Sequence, residues 1–297
     1  MPKISIVLPT IEEESVFKLV KDLRRALGGR IEIIIVDKSS SAYYRRLKDT
    51  GAVVIRQWDR GVENAIMHGL KKAHGGVLAS IDADGTHDVS GIVDGIRMVV
   101  SGKADLVLGN RMNGLGSGSM DSYIRIGNAI LSKLFSIFYK SDVHDVLTGL
   151  FVVRREAFDS IRNVDPYRAG IAFFAIELAR RGYKVREVDI KYYKRAHGKS
   201  KLTKSKLAYG VNVASHLIRQ IRDYSPLLAF GILGLIVGLV GVSVGISVIF
   251  NYLSSGTFTE IGRALLAFML VVLGFLFIVS GLILDMLLEI EKRLIKK

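Results

Sequence analysis

Val77-Leu78-Ala79-Ser80-Ile81-Asp82-Ala83-Asp84-Gly85-Thr86-His87 is the stretch on which the reading of this chain turns. A short apolar run reads as a buried strand. It stops at two carboxylates separated by one small residue, and Ser90 reads as the cap of a helix running on to Val100. Ligands of open α/β sheets bind beyond the carboxyl ends of strands, which puts Asp82 and Asp84 where chemistry is usually found. Two carboxylates this close repel strongly unless a cation lies between them. Hard divalent cations such as Mg²⁺ or Mn²⁺ take oxygen ligands and share them with a substrate's phosphates. A solvated Asp-Gly turn explains the tripeptide equally well, so the rest of the chain has to decide.

Outward from this stretch, strand-like and helix-like runs alternate. Ile4 to Leu8 reads as a strand and Ser15 to Leu27 as a helix closed by Gly28-Gly29. Ile31 to Val36 is a second strand with Asp37 at its end, and Ala52 to Arg56 a third. A helix follows over Gly61 to Ala73, with His68 and His74 read as helix-surface residues, and a further strand spans Asp105 to Gly109. Beyond a Gly- and Ser-rich loop, Met112 to Asp121, come a helix (Tyr123 to Tyr139), a strand (Asp145 to Val153), a helix (Phe173 to Arg181) and a strand (Lys184 to Tyr193). This alternation argues for an α/β fold whose mostly parallel sheet is flanked by helices on both faces.

Composition shifts sharply near Ser225-Pro226. The chain of 297 residues is 24% charged, yet its mean hydropathy is +0.33, because the apolar residues are concentrated at one end. Leu227 to Phe250 and Ala264 to Leu284 carry no charge, and each is long enough to cross a hydrocarbon core of about 30 Å, which takes roughly 20 helical residues. Arg219 and Arg222 precede the first run, and Lys292, Arg293, Lys296 and Lys297 follow the second; the connecting loop holds only Glu260 and Arg263. The excess of basic residues marks the cytoplasmic side, so the expectation is a multi-pass cell-membrane protein with its globular part and both termini in the cytoplasm. The division expected is a globular domain over 1–206, an amphipathic juxtamembrane helix over 207–225 and a transmembrane hairpin with a basic tail over 226–297. The Gly-rich spans are compatible with packing against a second copy.

The formal charge is +14 and there is no cysteine. The absence of cysteine excludes disulfides, thiolate metal sites and cysteine nucleophiles. Much of the positive charge lies between Arg186 and Arg222, where anionic membrane lipid attracts it at about 1 kcal/mol per residue. No nucleic-acid motif appears, and no nucleic-acid partner is expected.

Several separated motifs resemble one family, the polyprenyl-phosphate hexose synthases typified by dolichol-phosphate mannose synthase, inverting transferases of glycosyltransferase family 2 with the GT-A fold. Pro9-Thr10-Ile11-Glu12-Glu13 is similar to the family's Pro-Thr-Tyr-Asn-Glu, with Ile11 in place of Tyr and Glu12 in place of Asn. Val36-Asp37-Lys38-Ser39-Ser40 is similar to Val-Asp-Asp-Ser, with Lys38 replacing the second acid. Asp82-Ala83-Asp84 matches the family's Asp-X-Asp, and Thr86 stands where Gln is usual. Gly109-Asn110-Arg111 resembles Gly-Ser-Arg, and Asp145-Val146-Leu147-Thr148-Gly149 resembles Asp-Pro-Thr-Ser-Gly. Arg195-Ala196-His197-Gly198-Lys199-Ser200-Lys201 matches Arg-X-X-Gly-X-Ser-Lys.

The resemblance implies a membrane-anchored hexosyltransferase working with Mg²⁺ or Mn²⁺. Its donor is a nucleotide sugar, GDP-mannose favoured and UDP-glucose next, and its acceptor a polyprenyl or dolichyl phosphate. It assigns the metal to Asp82, Asp84 and Thr86. It assigns substrate binding to Pro9, Ile11, Glu13, Ile35, Asp37, Asp82, Ala83, Asp84, Thr86, Arg111, Arg195, Ser200 and Lys201, and catalysis to Asp84, Arg111, Arg125 and Arg195.

The chemistry is coherent without the family. A departing nucleoside diphosphate gains negative charge, which a cation on Asp82 and Asp84 and nearby basic groups would stabilise. A guanidinium fork such as that of Arg111, Arg125 or Arg195 fits phosphate oxygens. A lipid phosphate is already deprotonated near neutral pH, so no general base is assigned. Two other readings compete. One is a processive polysaccharide synthase of the same fold, which carries a Gln-X-X-Arg-Trp motif after its catalytic core; the single tryptophan here, Trp58, lies far upstream. The other is a nucleotide-sugar-binding membrane protein with a degenerate site, to which the changes at Ile11, Lys38 and Thr86 point and against which Asp82, Asp84, Arg195 and Lys201 argue.

Overall fold

The computed structural model describes residues 3–29, 31–58, 61–114, 120, 122–139, 141–162, 172–193, 225–257 and 259–295. The chain divides into two compact units, Met1–Val211 and Asn212–Lys297. The juxtamembrane helix expected over 207–221 lies outside the described residues, as do Arg195, Ser200 and Lys201.

The first unit is built on a seven-stranded sheet in the order β3-β2-β1-β4-β6-β5-β7. Its strands are β1 (Ile4–Thr10), β2 (Ile31–Asp37), β3 (Val53–Arg56), β4 (Val77–Ser80), β5 (Leu106–Asn110), β6 (Phe151–Arg154) and β7 (Val185–Asp189). All neighbours are parallel except β6, which runs antiparallel to both β4 and β5. The helices are α1 (Ser15–Leu27), α2 (Ser41–Lys48), α3 (Val62–Lys72), α4 (Val89–Val100), α5 (Ser122–Tyr139), α6 (Arg155–Ile161) and α7 (Ala172–Arg180).

Strand alternation assigns side chains to the two faces. Ile6 and Leu8 of β1 join a buried cluster with Leu19 and Leu23 of α1 and Ile92 and Ile96 of α4. Val7 faces the other way, onto α3. There, a Cβ added to Gly69 would lie 2.4 Å from Val7 Cγ1, so the absence of a side chain at 69 is what lets α3 press against the sheet. A mostly parallel sheet with helices on both faces is what the alternation of elements implies.

Three expectations are adjusted. The strand expected from Asp145 begins only at Phe151, because Arg111 and Asn128 hold the buried Asp145 carboxylate and keep the residues after it in a loop. The last strand stops at Asp189, and the chain beyond it makes an isolated antiparallel bridge between His87 and Tyr192. The fourth helix is capped by Asp88, whose carboxylate accepts from Ser90 N, so Ser90 lies within its first turn. Helix α2 had no counterpart in the sequence reading; it buries Tyr43 and Leu47, one turn apart.

The second unit holds α8 (Pro226–Ser255) and α9 (Ile261–Ile295), which pack as a hairpin. Both are long and apolar enough to cross a membrane, and most of their large apolar side chains are exposed. They touch through glycine. A Cβ on Gly234 would lie 2.5 Å from the Gly274 carbonyl oxygen, and one on Gly274 would lie 2.6 Å from that of Gly234. Small residues at such a crossing let backbones approach closely.

Glu32 ties the N-terminal edges of β1, β2 and β4 together. Its carboxylate accepts from Ser5 Oγ and from His74 N at 2.8 Å, and pairs with His74 Nδ1 at 2.8 Å. His74 therefore sits beyond the end of α3 rather than on its surface. Burial alone would raise the Glu32 pKa, but the hydrogen bonds from Ser5 and His74 and the charge of Lys3 outweigh it and bring the group down to about 2. A depressed carboxylate stabilises the fold above its unfolded value, near 4.5, and the contribution fades as pH falls from there toward 2. Denaturant unfolding should accordingly lose stability across that window, and Glu32→Gln should flatten the decline. A Glu32→Gln protein with the wild-type pH slope would remove Glu32 as its source.

Candidate active site

The candidate residues come from the carboxyl ends of adjacent strands. β1 ends at Pro9-Thr10 and β2 at Val36-Asp37, and the register places Thr10 beside Asp37. Asp37 is fully buried. Its carboxylate accepts from the backbone N–H of Ser39 at 3.1 Å and from the Ser39 hydroxyl, and meets Arg56 of β3 at 3.2 Å. The Arg56 guanidinium in turn lies 4.2 Å from the centre of the Tyr44 ring. Ile35 is buried in the core beneath this edge, whereas Ile11 is 42% exposed and Glu13 buried. Trp58, just past β3, is 83% exposed.

Between Ile11 and Glu13 the backbone of Glu12 takes φ 48°, a left-handed conformation that costs an ordinary side chain about 1–2 kcal/mol and that asparagine tolerates better. Its N–H donates to Ser39 Oγ at 2.6 Å, which fastens the β1 turn to the β2 turn.

The acidic pair follows β4. Ser15 Oγ, at the start of α1, donates to the Ala83 carbonyl at 2.7 Å and anchors the middle of the motif. Asp84 Oδ1 accepts from both Thr86 N at 3.1 Å and Thr86 Oγ1 at 2.6 Å. Gly85 takes φ 76° between them. Asp82 keeps 32% of its side chain exposed, and its Oδ2 lies 3.5 Å from His87 Nε2. Across from Asp82 stands Gly149, where a Cβ would sit 1.9 Å from Asp82 Oδ2. The glycine thus makes the space the carboxylate occupies.

Arg111, at the end of β5, turns onto Asp145. Its Nε and Nη2 donate to the two oxygens at 2.7 and 2.8 Å, its own N–H donates at 2.9 Å, and Nη2 also reaches the Leu147 carbonyl at 3.0 Å. Asn128 of α5 donates to the same carboxylate at 2.8 Å. Burial works against the Arg111 charge, but Asp145 more than offsets it and the guanidinium is held firmly protonated. Arg125, on the same helix as Asn128, is exposed. Arg111 therefore reaches the acid pair as a nearby charge, with its fork engaged by Asp145.

Tyr192 is the site residue that the sequence reading missed. Its ring packs edge-on against His87 at 5.3 Å and lies 5.5 Å from the Arg111 guanidinium carbon. Burial pushes the phenol up, the neighbouring Asp84 and Asp82 push it further, and Arg111 opposes them. His87 was also unassigned. No local signal marks either residue, because the bridge joins positions about a hundred residues apart in sequence.

The donor set suits a hard divalent cation. Two carboxylates one residue apart supply oxygen ligands, and Asp82 keeps part of its side chain exposed. Among the described residues no cluster of three His, Asp or Glu side chains forms a metal site, so further ligands would come from a substrate or water.

Comparison with known proteins shows the family and the fold. The family described as glycosyl transferase family 2 matches residues 5–162. A dolichyl-phosphate hexose transferase of Haloferax volcanii is 30% identical over 67% of this chain and 86% of its own length. Glycosyltransferase AglJ of the same organism is 25% identical over 99% of this chain and 96% of its own. Among solved structures, glucosyl-3-phosphoglycerate synthase of Mycobacterium tuberculosis, in complex with Mn²⁺, uridine diphosphate and phosphoglyceric acid, shares the fold. It superposes with TM-score 0.54 at 18% identity over 74% of this chain and 78% of that one.

Two stability outcomes follow from these contacts. Asp145→Ala, which leaves the Arg111 charge buried and unpaired, should lower the unfolding free energy by about 3–5 kcal/mol, while Arg111→Met/Asp145→Leu should recover most of the loss. Equal losses in the single and double variants would show that the pair is not the cause. Glu12→Asn should raise stability by up to about 1 kcal/mol by relieving the left-handed turn; a lower midpoint in chemical denaturation would contradict this.

Proposed function

Since the chain belongs to glycosyl transferase family 2, we propose that it moves a hexose from a nucleotide sugar to a polyprenyl or dolichyl phosphate at the cytoplasmic face of a membrane. GDP-mannose is the favoured donor and UDP-glucose the next. One observation carries the reading: the acidic pair at the end of β4 shares a chain with a hairpin of two helices apolar enough to cross a membrane. One substrate of such a reaction is soluble and the other stays in the bilayer. The dolichyl-phosphate relative supports the acceptor class, and AglJ supports the same arrangement over nearly the whole chain.

In this reading Asp82 and Asp84 hold Mg²⁺ or Mn²⁺, which when bound supplies positive charge to the donor's diphosphate as the bond to the sugar breaks. Pro9, Ile11, Glu13, Ile35 and Asp37 form the nucleoside end, with Arg56 neutralising Asp37. Arg111 contributes its field to the phosphates while Asp145 keeps it in place. Arg125 and Arg195, with Ser200 and Lys201, bind the acceptor phosphate. That phosphate attacks the anomeric carbon directly, because its oxygen carries no proton to remove near neutral pH.

The test is transfer of label from GDP-mannose or UDP-glucose to a short polyprenyl phosphate by the purified full chain with Mn²⁺. The expected result is labelled sugar in the lipid phase, and a loss of at least about 100-fold in Asp84→Ala. The reading fails if no sugar nucleotide in a broad panel gives product. Wild-type activity in Asp84→Ala would remove Asp84 from the reaction.

A further inference from the structure

The acid pair does not stand alone. Beyond Gly85, Thr86 and His87 each address one of its carboxylates. Thr86 gives Asp84 Oδ1 two donors, its backbone N–H at 3.1 Å and its hydroxyl at 2.6 Å. His87 places Nε2 3.5 Å from Asp82 Oδ2. The imidazole is 1% exposed, and neither of its ring nitrogens makes a hydrogen bond. At 3.5 Å the nitrogen faces the carboxylate but falls short of a well-formed hydrogen bond. An unsatisfied buried ring nitrogen is costly, and the carboxylate beside it is the acceptor within reach.

A third element holds both residues still. Tyr192 bridges to His87 across an antiparallel contact, and Tyr193 N donates to the Thr86 carbonyl at 2.8 Å. Tyr192 N donates in turn to the Gly114 carbonyl at 3.0 Å. The Tyr192 ring covers the imidazole edge-on at 5.3 Å. The segment 86–87 is thus clamped between the acid pair and the chain leaving β7.

We infer that Thr86 and His87 are positioning residues for the acidic pair, not ligands: Thr86 fixes the plane of the Asp84 carboxylate, His87 holds that of Asp82, and Tyr192 backs both. The inference deepens the proposed function and rests on its premise that Asp82 and Asp84 take a divalent cation. It replaces the expectation that Thr86 completes the metal's protein ligands. The hydroxyl that would ligate already donates to Asp84. Outer partners of this kind hold ligating carboxylates in orientation, and their removal typically lowers metal affinity by about 10–100-fold.

Mn²⁺ binding to the full chain in detergent, measured by electron paramagnetic resonance without donor or acceptor, tests the inference. Wild type should bind one Mn²⁺ and Asp84→Ala should not. Thr86→Val, His87→Phe and Tyr192→Ala should each weaken binding, the first two by about 10-fold or more, whereas Thr86→Ser should stay within about 3-fold of wild type. The coordination shell separates positioning from ligation. The Mn²⁺-bound water count, from ¹⁷O-water spectra, should be the same in Thr86→Val as in wild type, and wild-type spectra should show no ¹⁴N coupling from an imidazole. One added water in Thr86→Val, or a directly coupled nitrogen in wild type, would make the residue concerned a ligand and overturn the inference. Wild-type affinity in Thr86→Val and His87→Phe would overturn it as well. A wild-type chain that bound no Mn²⁺ at all would instead defeat the cation premise of the proposed function.

Discussion

The buried pair between Arg111 and Asp145 is the constraint on which the site depends. Strand β6 enters the sheet antiparallel between β4 and β5, and the loop that delivers it must pass the open end of β4. Arg111 fastens that loop from β5, and Asn128 fastens it from α5. Glu187 of β7 adds a third tie by accepting the Asp145 N–H at 2.7 Å. A buried ion pair is weak evidence for stability in itself, because desolvation offsets most of its attraction. Its value here is placement. It sets Gly149 against Asp82 and leaves a guanidinium close to the acid pair without letting the two collapse onto each other.

That arrangement changes how the arginine reads. In sequence, Arg111 at a strand end looks like a phosphate fork. In the fold its Nε and Nη2 face Asp145, and its effect on an anion nearby is through space. Arg125, on the helix that also carries Asn128, is by contrast exposed.

Much of the molecule was legible in the order of its residues. The strand periodicity, the carboxylates at strand ends and the two apolar runs are local patterns, and local patterns survive without coordinates. The hairpin is longer than its uncharged runs because α9 continues through Asp285, Glu289 and Glu291, and charge ends a membrane span before it ends a helix. What was not legible is what depends on contacts distant in sequence. The apolar residues after Asp145 read as a strand, but four buried donors claim its carboxylate and pull the segment out of the ladder. Helix α2 is short and polar, and only its packing under Phe17 and Arg46 makes Tyr43 a core residue. The Thr86 hydroxyl donates to Asp84, a contact that its place in the motif does not announce. His87 and Tyr192 acquire meaning only when the chain after β7 crosses back to the acid motif.

Gly149 shows a different kind of dependence. Nothing reactive stands there, and a search for functional groups passes over it. The carboxylate of Asp82 fills the volume that any side chain at 149 would claim. Alanine scanning reads function by taking atoms away. At this position the same substitution would read it by adding one carbon, and the chemistry depends on an atom that the sequence leaves out.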